Sequence, residues 1–148
     1  MKISGADRVR KNLARTEDKA KAGSLQGLRE AAKIVVEEAR KNAPIDTGDL
    51  EKAIVAVESR ERTSLGRFGQ IHIQVGVDLS LLDLEKHGGF DYSVKMHEDP
   101  NYNLGPKSQM KQDSSANTVG YKYLARALKD KTKEARAAIE AAIRRAVK

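Results

Sequence analysis

The sequence contains no cysteine and no tryptophan, and its aromatic content is only 4%. Without cysteine, disulfides and thiolate metal sites are excluded. With so few rings, the core has to come from Ala, Val, Ile and Leu, small side chains that each remove limited area from water at roughly 25 cal/mol per Å². A thin core is expected, with stability leaning partly on partner subunits. No apolar run approaches the ~18 residues that a bilayer span requires. The start, Met1-Lys2-Ile3-Ser4-Gly5-Ala6-Asp7, lacks the apolar segment of a secretory leader. A soluble, non-membrane chain made in the cytosol is therefore expected, and its 148 residues fit one domain.

Recognisable chemistry is also scarce. The histidines are His72, His87 and His97; no two sit four residues apart, and no HExxH string occurs. A zinc site needs three or four convergent ligands, so no metal or other cofactor is expected. No GxSxG elbow is present to strain a serine into a nucleophile. Gly105-Pro106-Lys107-Ser108 ends like a phosphate-binding loop but lacks the upstream glycine at the required spacing. Glu37 and Glu38 are neighbours on a helix and do not face each other. The one titratable cluster is His97-Glu98-Asp99. It could be a general base or half a metal site, but a polar strand end is the better reading, because adjacent strand residues point to opposite faces. No enzymatic activity is expected.

Charge is what the chain has in abundance. The net charge is +7, unevenly spread. Residues 1–22 carry seven basic and three acidic groups, and residues 121–148 carry nine basic and three acidic groups. The ends are thus +4 and +6, which leaves the middle at −3. Basic ends suit contact with nucleic acid or an acidic partner. The simpler reading is a pair of solvated helix faces rich in Lys and Arg, favoured because acidic residues interleave and no aromatic platform for bases accompanies them.

Periodicity supplies the elements. Residues 6–20 read as a weakly specified basic helix or arm, broken at Gly23-Ser24, with Ser24 as N-cap of the next segment. Leu25, Leu28, Ala32, Val35, Ala39 and Ala43 then mark one face of a clear helix over 25–42, which Pro44 ends. Asp49 to Lys52 leads into a strand over 53–58, and residues 59–69 read as a hairpin connection. Ile71, Ile73, Val75 and Val77 alternate with polar residues in the best strand, 70–78, with the four aliphatics on a buried face. Residues 79–91 fit a short helix or a packed loop. Tyr92, Val94 and Met96 alternate as a third short strand. Residues 99–120 read as one long loop, of the kind that is functional or ordered only against a neighbour. Residues 122–147 form a second amphipathic helix. The fold class is α+β: a small antiparallel sheet with the N-terminal and C-terminal amphipathic helices packed on one face. The single domain divides into an arm (1–22), a helix and sheet (23–98), the loop (99–120) and the C-terminal helix (121–148).

Within this order, Arg40-Lys41-Asn42-Ala43-Pro44-Ile45-Asp46-Thr47-Gly48-Asp49-Leu50 resembles the signature of a family of small bacteriophage tail-completion, head–tail joining and minor capsid proteins. That pattern is a helix ending in Ala-Pro, an aliphatic residue, Asp-Thr-Gly, a variable residue and Leu, then a strand. Tyr92 to Glu98, Gly105-Pro106-Lys107 and the aromatic-Leu start at Tyr123-Leu124 are similar to later family features, with 108–120 as an insertion. The motif residues, Ala43, Pro44, Ile45, Asp46, Thr47, Gly48 and Leu50, also read physically. Proline stops the helix, Asp46 and Thr47 satisfy loop amides, Gly48 turns the chain, and Leu50 returns to the core.

The resemblance implies a structural subunit of the virion neck or tail end, assembled in the bacterial cytoplasm. It would form a homo-oligomeric ring of six or twelve copies beside other neck, connector or tail proteins, without a membrane. DNA passing through a basic lumen is the alternative. Candidate interface or DNA-facing residues are Tyr92, His97, Glu98, Lys107, Tyr123, Arg126, Lys129, Arg136, Arg144 and Arg145. A free adaptor or toxin-like protein, or a hydrolase built on His97 and Glu98, is a weaker competitor.

Overall fold

The computed structural model describes residues 5–62 and 68–148, with only the backbone of residues 60–62 and 68–70. The chain runs α1 (Gly5–Asn42), α2 (Asp49–Ala53), β1 (Ile54–Arg62), β2 (Phe68–Val77), two 3-10 turns (Leu79–Leu81 and Glu85–His87), α3 (Tyr92–Glu98), α4 (Pro106–Ser114) and α5 (Tyr123–Val147). The fold is α+β, with α1 packed against an antiparallel β1–β2 hairpin and α5 packed on α1; α5, expected on the sheet face too, has its main contact with α1. Ile54 pairs with Val77 and Val57 with Gln74, and the register slips between Arg60 and Arg62.

Five local expectations fail. The break at Gly23-Ser24 does not occur: α1 is one helix of 38 residues, about 57 Å long at 1.5 Å per residue. Ser24 is no N-cap; its hydroxyl donates back to the carbonyl of Ala20 at 2.8 Å. The reason lies in α5. A Cβ built on Gly27 would stand 2.7 Å from Cα of Ile139, and one on Gly23 would stand 2.7 Å from Cβ of Ala146. Each glycine costs a helix about 1 kcal/mol against alanine, but here both let α5 approach the α1 backbone closely, and the packing recovers the loss.

The third strand is also absent. Tyr92 to Glu98 form helix α3, whose N-cap Asp91 accepts from the Ser93 amide at 3.0 Å. Seven residues cannot separate a period of two from a period of 3.6 by apolar spacing alone. The long loop at 99–120 contains α4, opened by Pro106 at the first helical position. Asp49 to Ala53 is a turn of helix, so β1 begins at Ile54. Residues 63–67 of the expected hairpin connection, and Met1 to Ser4, lie outside the described residues.

The core centres on Val35, Val36, Ala39, Leu50, Ile54 and Tyr123. Among the described residues, seven of the fifteen buried apolar side chains are alanines, so the interior is thin and relies on close backbone approach. The aliphatic face of β2 is only half-buried at Ile71, Ile73, Val75 and Val77.

Gly27→Ala tests the close approach. Helix propensity alone favours alanine by about 1 kcal/mol. The atoms it would meet belong to backbone and cannot rotate away, so overpacking of about 1–3 kcal/mol should win. The urea midpoint is expected to fall; a rise would show that α5 yields freely.

Candidate assembly surfaces

The signature segment is held from outside. Ala43, Pro44 and Leu50 are buried, whereas Asp46 and Thr47 face solvent. Gly48 turns the chain at φ 88, a region that side-chain-bearing residues avoid. Thr47 donates to the carboxylate of Asp49 at 2.6 Å. The loop amide at Ile45 is satisfied by neither Asp46 nor Thr47, as the sequence had suggested. It donates to the hydroxyl of Ser108 in α4 at 2.8 Å, and that hydroxyl donates to the Ile45 carbonyl at 2.8 Å.

The rest of the expected loop continues this clamp. Lys107 donates to the Asp46 carbonyl at 2.7 Å. Lys111 donates to the carbonyls of Arg40 and Ala43, each at 2.7 Å, and ion-pairs with Glu51. The last carbonyls of a helix lack intrahelical partners and suit a cation, so Lys111 caps α1 from another element. Asn117 reaches Glu38 and Asn42, and the Gly120 amide donates to the Asn42 carbonyl at 2.9 Å. Residues 104–120 are thus a strap over the end of α1. A cavity of about 390 Å³ remains between loop and strap, lined in part by Tyr92, Tyr102 and His87. Burial, then the carboxylates of Asp49 and Asp46, push the Tyr92 phenol above its ordinary range, which keeps it a neutral hydroxyl.

His97 and Glu98, the last two residues of α3, do converge. Nδ1 of His97 stands 2.7 Å from the Glu98 carboxylate, which also pairs with Lys122. Hydrogen bonds from Lys122 and then His97 hold the Glu98 carboxyl below its usual range. The pair fastens α3 to the start of α5, where the Lys122 amide also donates to the His97 carbonyl at 2.8 Å. Tyr123, which the sequence offered as a surface residue, is enclosed in the core. It meets His97 edge-on with ring centroids 5.0 Å apart. Arg126 donates to the carbonyls of Tyr121 and Gly120, a structural task. Lys129, Arg136, Arg144 and Arg145 are exposed, with Arg145 paired to Glu30 and Arg144 near Glu140. Among the described residues no group of three or more His, Asp or Glu is placed to hold a metal, and no helix is long and apolar enough to cross a membrane.

Two surfaces remain open. One is a groove of about 440 Å³ between α1, the β2 face and α5, walled by Leu28, Ala31, Val35, Ile73, Val75 and Leu124, with Leu128 at its side. The other is the free end of α1, exposed throughout residues 5–19. Sequence reasoning missed the groove, since its walls come from three distant segments. The exposure of Leu128, on a helical face expected to be covered, is its one sequence-level trace.

A family model described as "Bacteriophage HK97-gp10, putative tail-component" matches residues 7–93. The chain belongs to this HK97-gp10-like family. The match takes in the free end of α1, the signature loop and the hairpin, and stops at the start of α3. The strap and α5 lie beyond it. No curated protein and no solved structure matches the chain. Membership of a tail-component family agrees with the signature resemblance and makes the chain a bacteriophage structural component at that level of detail.

Ser108→Ala removes both bonds to Ile45 and leaves its half-buried amide without that acceptor. Losing a buried partner costs about 1–3 kcal/mol, so a lower thermal midpoint is expected. An unchanged midpoint would mean that the strap does not hold the signature loop.

Proposed function

We propose that this chain is a non-catalytic structural subunit that forms a ring at the head–tail connector or tail terminus and joins tail to head. Family membership supports a role in the virion. The observation that carries the finer reading is the pairing of an open apolar groove with a helix end whose residues 5–19 are exposed. A subunit that leaves complementary surfaces open on different sides is suited to heterologous packing, which closes into a ring when the rotation permits. In keeping with a structural role, the Glu98 carboxylate is held by Nδ1 of His97 and by Lys122, a contact that ties α3 to α5. The layer in the neck or tail and a copy number of six or twelve are carried by the resemblance alone. In the phage that encodes the chain, an early stop codon in its gene should leave filled heads and tails accumulating separately. Joined, infectious particles lacking the protein would remove this function.

A second reading concerns DNA. The start of α1 and the end of α5 lie at the same pole, because Gly23 abuts Ala146. Residues 5–22 hold six basic and three acidic groups and run on for about 27 Å past Gly23, where α5 ends with Arg144, Arg145 (paired to Glu30) and Lys148. This pole suits a phosphate backbone passing through a lumen, without base readout. Binding of the purified chain to duplex DNA should weaken as salt rises. Removing Arg8 and Arg10 as glutamines should reduce the log–log slope by about 2, at about 0.9 per phosphate contact. No binding at low salt would eliminate this reading.

A further inference from the structure

We propose that the cavity between the signature loop and the strap receives an arginine side chain from the exposed start of α1 in another copy. This rests on the ring reading above, and it names a contact that would join neighbouring copies.

The cavity measures about 390 Å³, within the roughly 300–1,000 Å³ of pockets that hold ligands. Its walls are mixed. Leu50 and Met96 are apolar, while Tyr92, Tyr102 and His87 bring aromatic rings, with the Tyr92 and His87 centroids 4.2 Å apart. Both tyrosines are half-buried. Neither phenol hydroxyl has a hydrogen-bond partner among the described residues. Asp46 lines the same space. Lys107 takes only its carbonyl, which leaves the Asp46 carboxylate without a partner among the described residues. Three acceptors thus face one cavity with nothing to accept from.

The surrounding charge selects the occupant. After burial, Asp49, Asp46, Asp83 and Asp91 raise the Tyr92 phenol, and Asp46 raises that of Tyr102. Against these four carboxylates stand two cations. Lys86 pairs with Asp83 at 2.7 Å, and Lys107 sits on the Asp46 carbonyl. Four negative and two positive groups leave −2, with His87 neutral. Ring faces attract a cation, and the carboxylate and the phenol oxygens can accept its N–H groups. A guanidinium fits this better than an ammonium. It is planar, stacks on rings and offers its donors in a fixed fork.

The other end of α1 supplies such groups. Residues 5–16 carry four basic groups and one acidic group, net +3. Arg8, Arg10 and Arg15 are exposed there, and none forms an ion pair with another described residue. Helix α5 is basic too, but its arginines are mostly engaged. Arg126 is tied to backbone carbonyls, Arg145 to Glu30, and Arg144 lies near Glu140. Arg136 is the competitor on that helix.

The start of α1 cannot reach the cavity of its own chain. Arg15 and Asn42 lie on one continuous helix, about 40 Å apart along its axis. One helix therefore carries a cationic donor at one end and ends beside an anionic receiver at the other. The contact is heterologous, so each copy gives one arginine and takes one, and a closed circle leaves no cavity unfilled. A single side chain binds weakly, and closure of the ring multiplies it.

Two measurements test this. The first titrates the purified full-length chain with N-acetyl-arginine amide and follows the Tyr92 and Tyr102 ring protons by NMR. A saturable shift is expected, weaker with N-acetyl-lysine amide and lost in Asp46→Asn. That variant should keep the wild-type melting midpoint, since Asp46 is exposed. No shift, equal responses to the two amides, or a full response in Asp46→Asn overturns the proposal. The second measurement places benzoylphenylalanine at Asn103, an exposed residue of the cavity wall, in the full-length chain within virions. Mass spectrometry should find a product with the mass of two copies and adducts on residues 7–16. Adducts on residues 129–148 of another copy, on a different virion protein, or none at all would overturn the proposal. Imaging of wild-type virions separates the two claims: a ring present without the expected adducts sinks this contact alone, and no ring sinks the function on which it rests.

Discussion

The close seating of α5 on the glycine face of α1 is the constraint from which the rest of the molecule follows. Gly23 and Gly27 leave no side chain between the helices, and Ala142 and Ala146 meet them with a methyl each. A chain with almost no aromatic residues cannot fill a wide interior. It gains burial by bringing backbones together, where many weak dispersion contacts replace a few large side chains. The same seating fixes where α5 starts and therefore where Tyr123, the largest fully buried side chain, enters the core beside Ile54.

The second constraint lies at the other end of α1. Pro44 stops the helix and leaves carbonyls without partners. The chain meets that need from 63 to 78 residues away in sequence, with Lys111 on the carbonyls, Ser108 on Ile45 and Gly120 on Asn42. The signature loop is therefore rigid at its buried edge and open at Asp46 and Thr47. A rigid loop with a small exposed polar tip suits a contact whose geometry has to repeat in every copy of an assembly. The family match ends before the strap, so a loop that the family model includes is held here by residues beyond the match.

Seen together, the surfaces describe a subunit whose apolar requirements are only partly met by its own residues. The hairpin face is half-covered, the groove stays open, and α1 extends beyond its partner helix. Among the titratable residues, Nδ1 of His97 and the Lys122 ammonium both meet the Glu98 carboxylate, a contact that joins α3 to the start of α5.

Much of the architecture could be read from residue order alone. Helical spacing over 25–42 and 122–147, two-residue alternation at Ile71 to Val77 and the Ala-Pro-Ile-Asp-Thr-Gly string each report a local periodicity or a local backbone preference, and each needs nothing beyond its own neighbours. The sequence also declared a thin core, through its lack of aromatics. What it could not declare depended on distant partners. Gly23 breaks a helix unless α5 lies on it. Tyr92 to Met96 alternate like a strand until Asp91 caps them as a helix. Ser108 and Lys111 look like loop residues until the carbonyls at the end of α1 stand beside them. The groove exists only where Leu28, Ile73 and Leu128 meet. Local preference is worth tenths to about one kcal/mol per residue, and a buried contact or a satisfied carbonyl outweighs it, so tertiary structure decided every position where the two disagreed.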